Sequence, residues 1–162
     1  MARDCTGCLD SPLDVDLWQH SRPADRVERP MQTWLFDFDA RYERTLAVFG
    51  IRTENSRVEL HPDSLVVHFG RWSLATPWTN VKRTQMTREY TAIKAIGARG
   101  SLRDRGVTFG SNIREGLCIC FIEPVPSLLG PIAGHLFKHP GMTITVQDCE
   151  GLQAEVQRRL TA

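Results

Sequence analysis

The stretch KAIGARGSLRDRG, residues 94–106, sets glycines at 97, 100 and 106 among Arg99, Arg103 and Arg105. Glycines let backbone amides approach an anion, and arginines grip phosphate or carboxylate with two parallel hydrogen bonds. Between residues 82 and 114 there are eight Lys and Arg against two Asp and Glu, while the whole chain carries +1. Arg99, Arg103 and Arg105 are therefore the candidate anion- or ligand-binding residues. Trp78, the aromatic that no alternation explains, is added to that set. The same arginines also make an ordinary solvated loop if Asp104 and Glu89 pair with them. Nucleic acid would want aromatics interleaved with the basic side chains. Only Tyr90 and Phe109 qualify, and Phe109 reads as core, so nucleic acid is not the expected partner.

Other reactive residues assemble into less. CTGC supplies a C-x-x-C pair, Cys5 and Cys8, which fits half a zinc site or a redox centre. No second ligand pair or following helix is visible nearby, and a tail without fixed chemistry also accounts for it. Cys118 and Cys120 lie two apart in a strand, on one face and ~6.6 Å apart along it, so they do not easily bridge each other. With no apolar secretory segment in the acidic start MARDCTGCLDSPLDVD, reduced thiols and a cytoplasmic protein are expected. His135 and His139 have a spacing that would align on a helix, but Pro140 and Gly141 end any helix there. His61 and His68 fall on outward or edge positions. Asp37 and Asp39 share one strand face, where solvent exposure and helix capping explain them. There is no G-x-S-x-G, H-E-x-x-H or P-loop. No catalytic residue, metal or cofactor is assigned, and a non-enzymatic protein is expected.

The elements that must hold these residues follow from composition and period. The chain has 162 residues, 41% of them hydrophobic and 24% charged, which suits one soluble domain with a core of its own. No apolar run approaches the ~18 residues of a membrane span. Residues 1–31, with Pro12, Pro23, Pro30 and no periodicity, read as a flexible arm with Trp18 as its one anchor. Residues 32–162 read as a single β-domain.

TWLFDFD alternates as a strand with Trp34, Phe36 and Phe38 on one face. ARYERTLAVFG reads as a short helix, capped by Asp39, ended by Gly50, with Tyr42, Leu46 and Phe49 as its stripe. RVELH and SLVVHF follow, joined at Pro62-Asp63, with Val58, Leu60, Leu65, Val67 and Phe69 inward. Gly70-Arg71 fits a two-residue hairpin whose first residue needs positive φ. WSLAT returns with Trp72 and Leu74 inward, and Pro77 interrupts the pairing. Further strands are expected at 80–86, 92–96 and 106–110. GLCICFIEPV is the most apolar strand, with Leu117, Ile119 and Phe121 on one face and Cys118, Cys120 and Ile122 on the other, so both faces should be covered. MTITVQ ends the strands with Met142, Ile144 and Val146 inward. The last helix is capped by Asp148, carries Leu152, Val156 and Leu160 on its apolar stripe, and has Arg158 and Arg159 at its negative end.

This order predicts an α+β, mainly β fold: a strongly bent antiparallel sheet or partly open small barrel with a capping C-terminal helix. The segments VELHPDSLVVHFGRWSLATPWTNV, RDRGVTFGSNIREGLCICFIEPV and HPGMTITVQDCEGL resemble those of bacterial pleckstrin-homology-like (PH-like) proteins of an uncharacterised actinobacterial family. The likeness covers roughly residues 33–160. Cys149 stands where that family would carry proline after the capping aspartate. The resemblance implies a PH-like binding or scaffold module, with no phosphoinositide site, because neither HPDS nor IRTENS carries a basic cluster.

PVPSLLGPIAGHLFKHPG, within residues 124–141, is a long apolar connection. Leu128, Leu129, Ile132, Leu136 and Phe137 would cover the cysteine face of strand 117–123 or form a partner patch. Two functions are thus carried forward. One is a non-enzymatic binding module for an unknown protein or small anionic ligand. The other is a small acidic-ligand carrier or enzyme with a pocket between the bent sheet and the 124–141 loop.

Overall fold

A computed structural model describes residues 30–88, 96–100, 105–126 and 138–161. The first strand is β1, Gln32–Leu35, followed by the helix α1, Ala40–Val48. Asp39 caps α1 by accepting a hydrogen bond from the Arg41 amide at 3.0 Å. Gly50, at φ +75°, turns the chain out of the helix. That turn changes which side chain plugs the core: Phe49, expected on the apolar stripe, is 57% exposed, and Ile51 is buried in its place. The left-handed residue reverses the chain one position later than the helical period alone implies.

Three strands then form a meander with β1: β2, Ser56–Leu60, β3, Ser64–Phe69, and β4, Trp72–Pro77. All the pairs are antiparallel. Val58, Leu60, Leu65, Val67 and Phe69 are buried as the alternation requires. Gly70 sits at φ +64° between β3 and β4. A Cβ there would come within 2.9 Å of the Gly50 carbonyl oxygen and of Ile51 Cγ1, so the turn is doubly closed to other residues.

A second sheet holds β5, Val81–Arg88, β6, Gly97–Gly100, β7, Val107–Gly110, β8, Glu115–Pro126, and β9, Lys138–Ile144, in the order β5-β8-β9-β7-β6. Here β7 pairs β9 in parallel. The expectation of an antiparallel sheet therefore holds only for part of the molecule. The hairpin β6-β7 attaches beyond β9, and the chain reaches β9 from β8, which sets β7 and β9 running the same way. The strand expected at 92–96 lies mostly outside the described residues. The strand itself begins at Gly97, inside the stretch read as a loop.

Helix α2, Cys149–Leu160, ends the described chain, capped by Asp148, and packs on β5 and β8. The result is a mainly β, α+β fold of two sheets and two helices, with no closed barrel among the described residues. No described helix is long and apolar enough to cross a membrane. One core joins the sheets, and Phe69 is its pivot: its ring centroid lies 4.8 Å from Phe36 and 5.5 Å from Phe109. A buried polar knot closes one end. Ser111 Oγ donates to the Asp37 carbonyl at 2.8 Å, and Thr145 Oγ1 accepts from the Ser111 amide at 2.8 Å.

Arg159, placed at the negative end of the last helix, stands in its last turn and is buried beside Glu155, to which its Nε donates at 2.9 Å. One expectation fails inside this frame. Cys118 and Cys120, read as reduced thiols, are disulfide-bonded. The oxidised pair removes one of the two grounds for expecting a reducing compartment. Cys149 is a free cysteine, buried in the core, and burial pushes its thiol up to about 11.

Candidate anion-binding edge

The register of the second sheet draws a straight row across all five strands. Arg99 on β6 pairs with Thr108 on β7, Thr108 with Thr143 on β9, Thr143 with Cys118 on β8, and Cys118 with Gln85 on β5. Their neighbours Ala98, Phe109, Ile144 and Leu117 point into the core, so this row belongs to the outer face. Arg99 stands at its exposed end.

His139 lies farther along β9, beyond the register shift in the β8-β9 pairing, where it pairs with Val125. It is 7% exposed. Its Nδ1–H donates to the Arg105 carbonyl at 2.6 Å, since a carbonyl can only accept. In the neutral ring this tautomer leaves the lone pair on Nε2. Nε2 is shielded from water and has no hydrogen-bond partner among the described residues. The β6 edge leans on the ring: a Cβ on Gly100 would lie 3.7 Å from His139 Cε1. Arg105 holds its carbonyl in place from a left-handed backbone, φ 57°. A non-glycine residue in that region costs roughly 1–2 kcal/mol and marks a place to look for function.

The structure thus brings Arg99, Arg105 and His139 to one sheet edge. Arg103 lies outside the described residues. Trp78 is placed elsewhere, in the turn Trp78–Asn80 between β4 and β5. Its Nε1 donates to the His61 carbonyl at 2.9 Å, and the Arg159 guanidinium lies 5.2 Å from its ring centroid. It anchors α2 to the first sheet. His139 was met in the sequence as half of a helical pair with His135, which lies outside the described residues.

The remaining polar clusters satisfy themselves. Arg41 doubly grips Asp39 and holds its carboxyl down to about 2. Asp37 accepts from Arg114 and from Asn112 Nδ2. Glu59 accepts from Arg57 at 2.6 Å and from His61 at 2.9 Å, and these contacts hold its carboxyl below the usual range. His68 lies 3.7 Å from the same carboxylate.

Two surface clefts lie elsewhere among the described residues. One, of about 420 Å³, runs between β4 and the end of β8, where Ile122 is 52% exposed. Its polar groups already bond one another: Asn80 Nδ2 donates to Thr76 Oγ1 at 3.0 Å, and Asn80 Oδ1 accepts from the Glu123 amide at 2.7 Å. None of the candidate arginines lines it. The other, about 590 Å³, lies between β1 and α2 beside Trp34, Glu155 and Arg158. It was not legible in the sequence, because it forms where helix and edge strand meet. Trp34 Nε1–H, shielded and without a partner, faces this neighbourhood. No family model, no curated protein and no solved structure matches this chain.

Proposed function

We propose that this chain is a non-enzymatic, PH-like binding module that takes an anionic group at the β6-β7-β9 edge. The four-stranded meander, the second sheet and the terminal helix support the PH-like reading. The observation that carries the site is His139, whose Nδ1–H is spent on Arg105 while Nε2 is buried without a partner. A buried polar atom left unpaired costs stability, on the order of 1–3 kcal/mol, unless something completes it. A protonated imidazole turns Nε2 into an N–H donor, which beside Arg99 and Arg105 suits a carboxylate, sulfate or phosphate oxygen.

Sulfate tests this, because its charge is constant across the range where histidine titrates. At tenfold its Kd it should stabilise the fold by about 1.4 kcal/mol, a rise in Tm of roughly 3–6 °C. Exchanging Arg99, Arg103 and Arg105 together for Gln should abolish it and leave the unliganded Tm nearly unchanged, because exposed charges contribute little. A wild type that gains no more from millimolar sulfate than the triple variant sinks the reading.

The second reading, a small-ligand carrier, is favoured by the 420 Å³ cleft where the 124–141 connection leaves β8. A ligand seated there would protect Ile122 and the Asn80 side chain from solvent while leaving the His139 resonances unmoved.

A further inference from the structure

We infer that the start of β1 is a docking edge for an extended peptide of a partner protein, one that alternates apolar and acidic side chains and lies as an added strand in the cleft between β1 and α2. The backbone shows where the edge is open. The His61 amide donates to the Ser64 carbonyl at 2.9 Å. With a period of two, Arg57, Glu59 and His61 therefore spend their backbone groups on β3, and Ser56, Val58 and Leu60 turn theirs to β1. Through the register, Gln32 opposite Leu60 and Trp34 opposite Val58 bond β2, while Thr33 and Leu35 point away from it. Two bonds on that outer side agree. The Leu35 carbonyl accepts from the Gln147 amide at 3.0 Å, and the Asp37 amide donates to the Thr145 carbonyl at 2.9 Å. This closure stops at Leu35. β1 is an edge strand of its sheet, and no described strand lies against the N–H and C=O of Thr33, which is exposed.

A free N–H and C=O on an edge strand are what the backbone of an extended peptide pairs with. The cleft fits that occupant. It holds about 590 Å³, with Gln32, Thr33 and Trp34 along one wall. On the other wall α2 presents Gly151 and Ala154, small enough for a backbone to come close. Trp34 Nε1–H has no acceptor among the described residues, and a carbonyl of the added strand is the acceptor it lacks.

The neighbouring side chains set the composition. Met31 and Leu35, on either side of Thr33, are 56% and 45% exposed. Apolar side chains at alternate positions of the added strand would continue that strip. The other positions face α2, where Arg158 and Arg159 both bond the Glu155 carboxylate. Two guanidiniums to one carboxylate make a wall that favours acidic side chains. The site belongs to the first sheet and stands apart from the His139 edge.

The test uses the full chain, labelled with 15N, and a capped six-residue peptide of alternating valine and glutamate. At saturation the Thr33 amide should exchange with solvent at least about tenfold more slowly, and the Trp34 indole N–H resonance should move. Both effects should vanish with the same peptide N-methylated throughout, which cannot pair along an edge, and with a valine–lysine peptide. Thr33→Pro should also abolish them, because the N–H it removes lies on the side away from β2. Ala154→Phe fills the cleft from the exposed face of α2 and should weaken binding by about tenfold or more. If Thr33→Pro fails to fold, Ala154→Phe and the modified peptides decide. An unmoved Thr33 amide at millimolar peptide overturns the proposal, as does binding that survives N-methylation or is as tight for the lysine peptide. So does a Thr33 amide already protected in the free chain, since the edge is then taken. Protection that appears only as the chain is concentrated gives the edge to a second copy, and overturns it too.

Discussion

The two sheets share one core yet differ in what lies on their other faces. On the first, the outward side chains of β2, β3 and β4 are half-buried or exposed, among them Arg57, Glu59, His68, Ser73 and Ala75. On the second, the outward row contains Cys118, Cys120 and Thr143, all buried. A sheet with one wet face writes its fold in period-2 alternation; a sheet covered on both faces does not. The difference also separates the chemistry. On the wet face, carboxylates, arginines and histidines partner one another. At the β6-β7-β9 edge of the second sheet, a histidine nitrogen is left unpaired.

The sharpest way to break this comparison is to place the same charge on each outer face. Thr143→Lys should destabilise by about 3–5 kcal/mol, because it leaves an ammonium unpaired in a covered site. Ser73→Lys on the first sheet should change stability by no more than about 0.5 kcal/mol. Urea unfolding measures both, and equal values would mean that the second face is not covered in solution.

A smaller effect belongs to the turn that closes the first sheet. Gly70→Val forces a β-branched residue to φ +64° and drives its Cβ against the Gly50 carbonyl. The strain alone is worth ~1–3 kcal/mol. Arg71→Ala beside it loses only an exposed contact with the Trp72 ring, about 0.5 kcal/mol. Comparable losses from the two variants in chemical denaturation would place the strained residue elsewhere.

The mildest probe is acid, and it acts on the first half of the chain. Asp39 titrates at about 2 in the fold against 3.8 unfolded, and Glu59 is also lowered. A depressed carboxyl lends stability above its unfolded pKa and loses it as pH falls through the folded one. The Tm should therefore be level down to about pH 4.5 and decline from there toward pH 2. Asp39→Asn with Glu59→Gln should flatten that decline; an unchanged profile would show that other carboxyls set the acid limit.

The same contrast explains what was legible in the sequence. Every inward residue read on β2, β3 and β9 is buried, and Asp39, Gly70 and Asp148 do what their types and positions imply. Ile51 in place of Phe49, the parallel pairing of β7 with β9, and the buried Arg159–Glu155 pair were not legible, because each depends on where separate elements meet. Of the candidate site, Arg99 and Arg105 were singled out by local charge. His139 needed a hydrogen bond to a distant carbonyl and burial, and Trp78 owes its place to an arginine on the last helix.

The bridge between Phe36 and Val146, with the Asp37 amide donating to the Thr145 carbonyl at 2.9 Å, ties the first strand to the residues just before the last helix. During synthesis, Phe36 leaves the ribosome long before its partner exists. At roughly 5–20 residues per second, the nascent chain waits on the order of ten seconds with this aromatic, and the neighbouring edge of β1, uncapped. The domain therefore cannot finish folding from its N-terminus, and its last closure, between segments so far apart in sequence, is the kind of contact that slows folding.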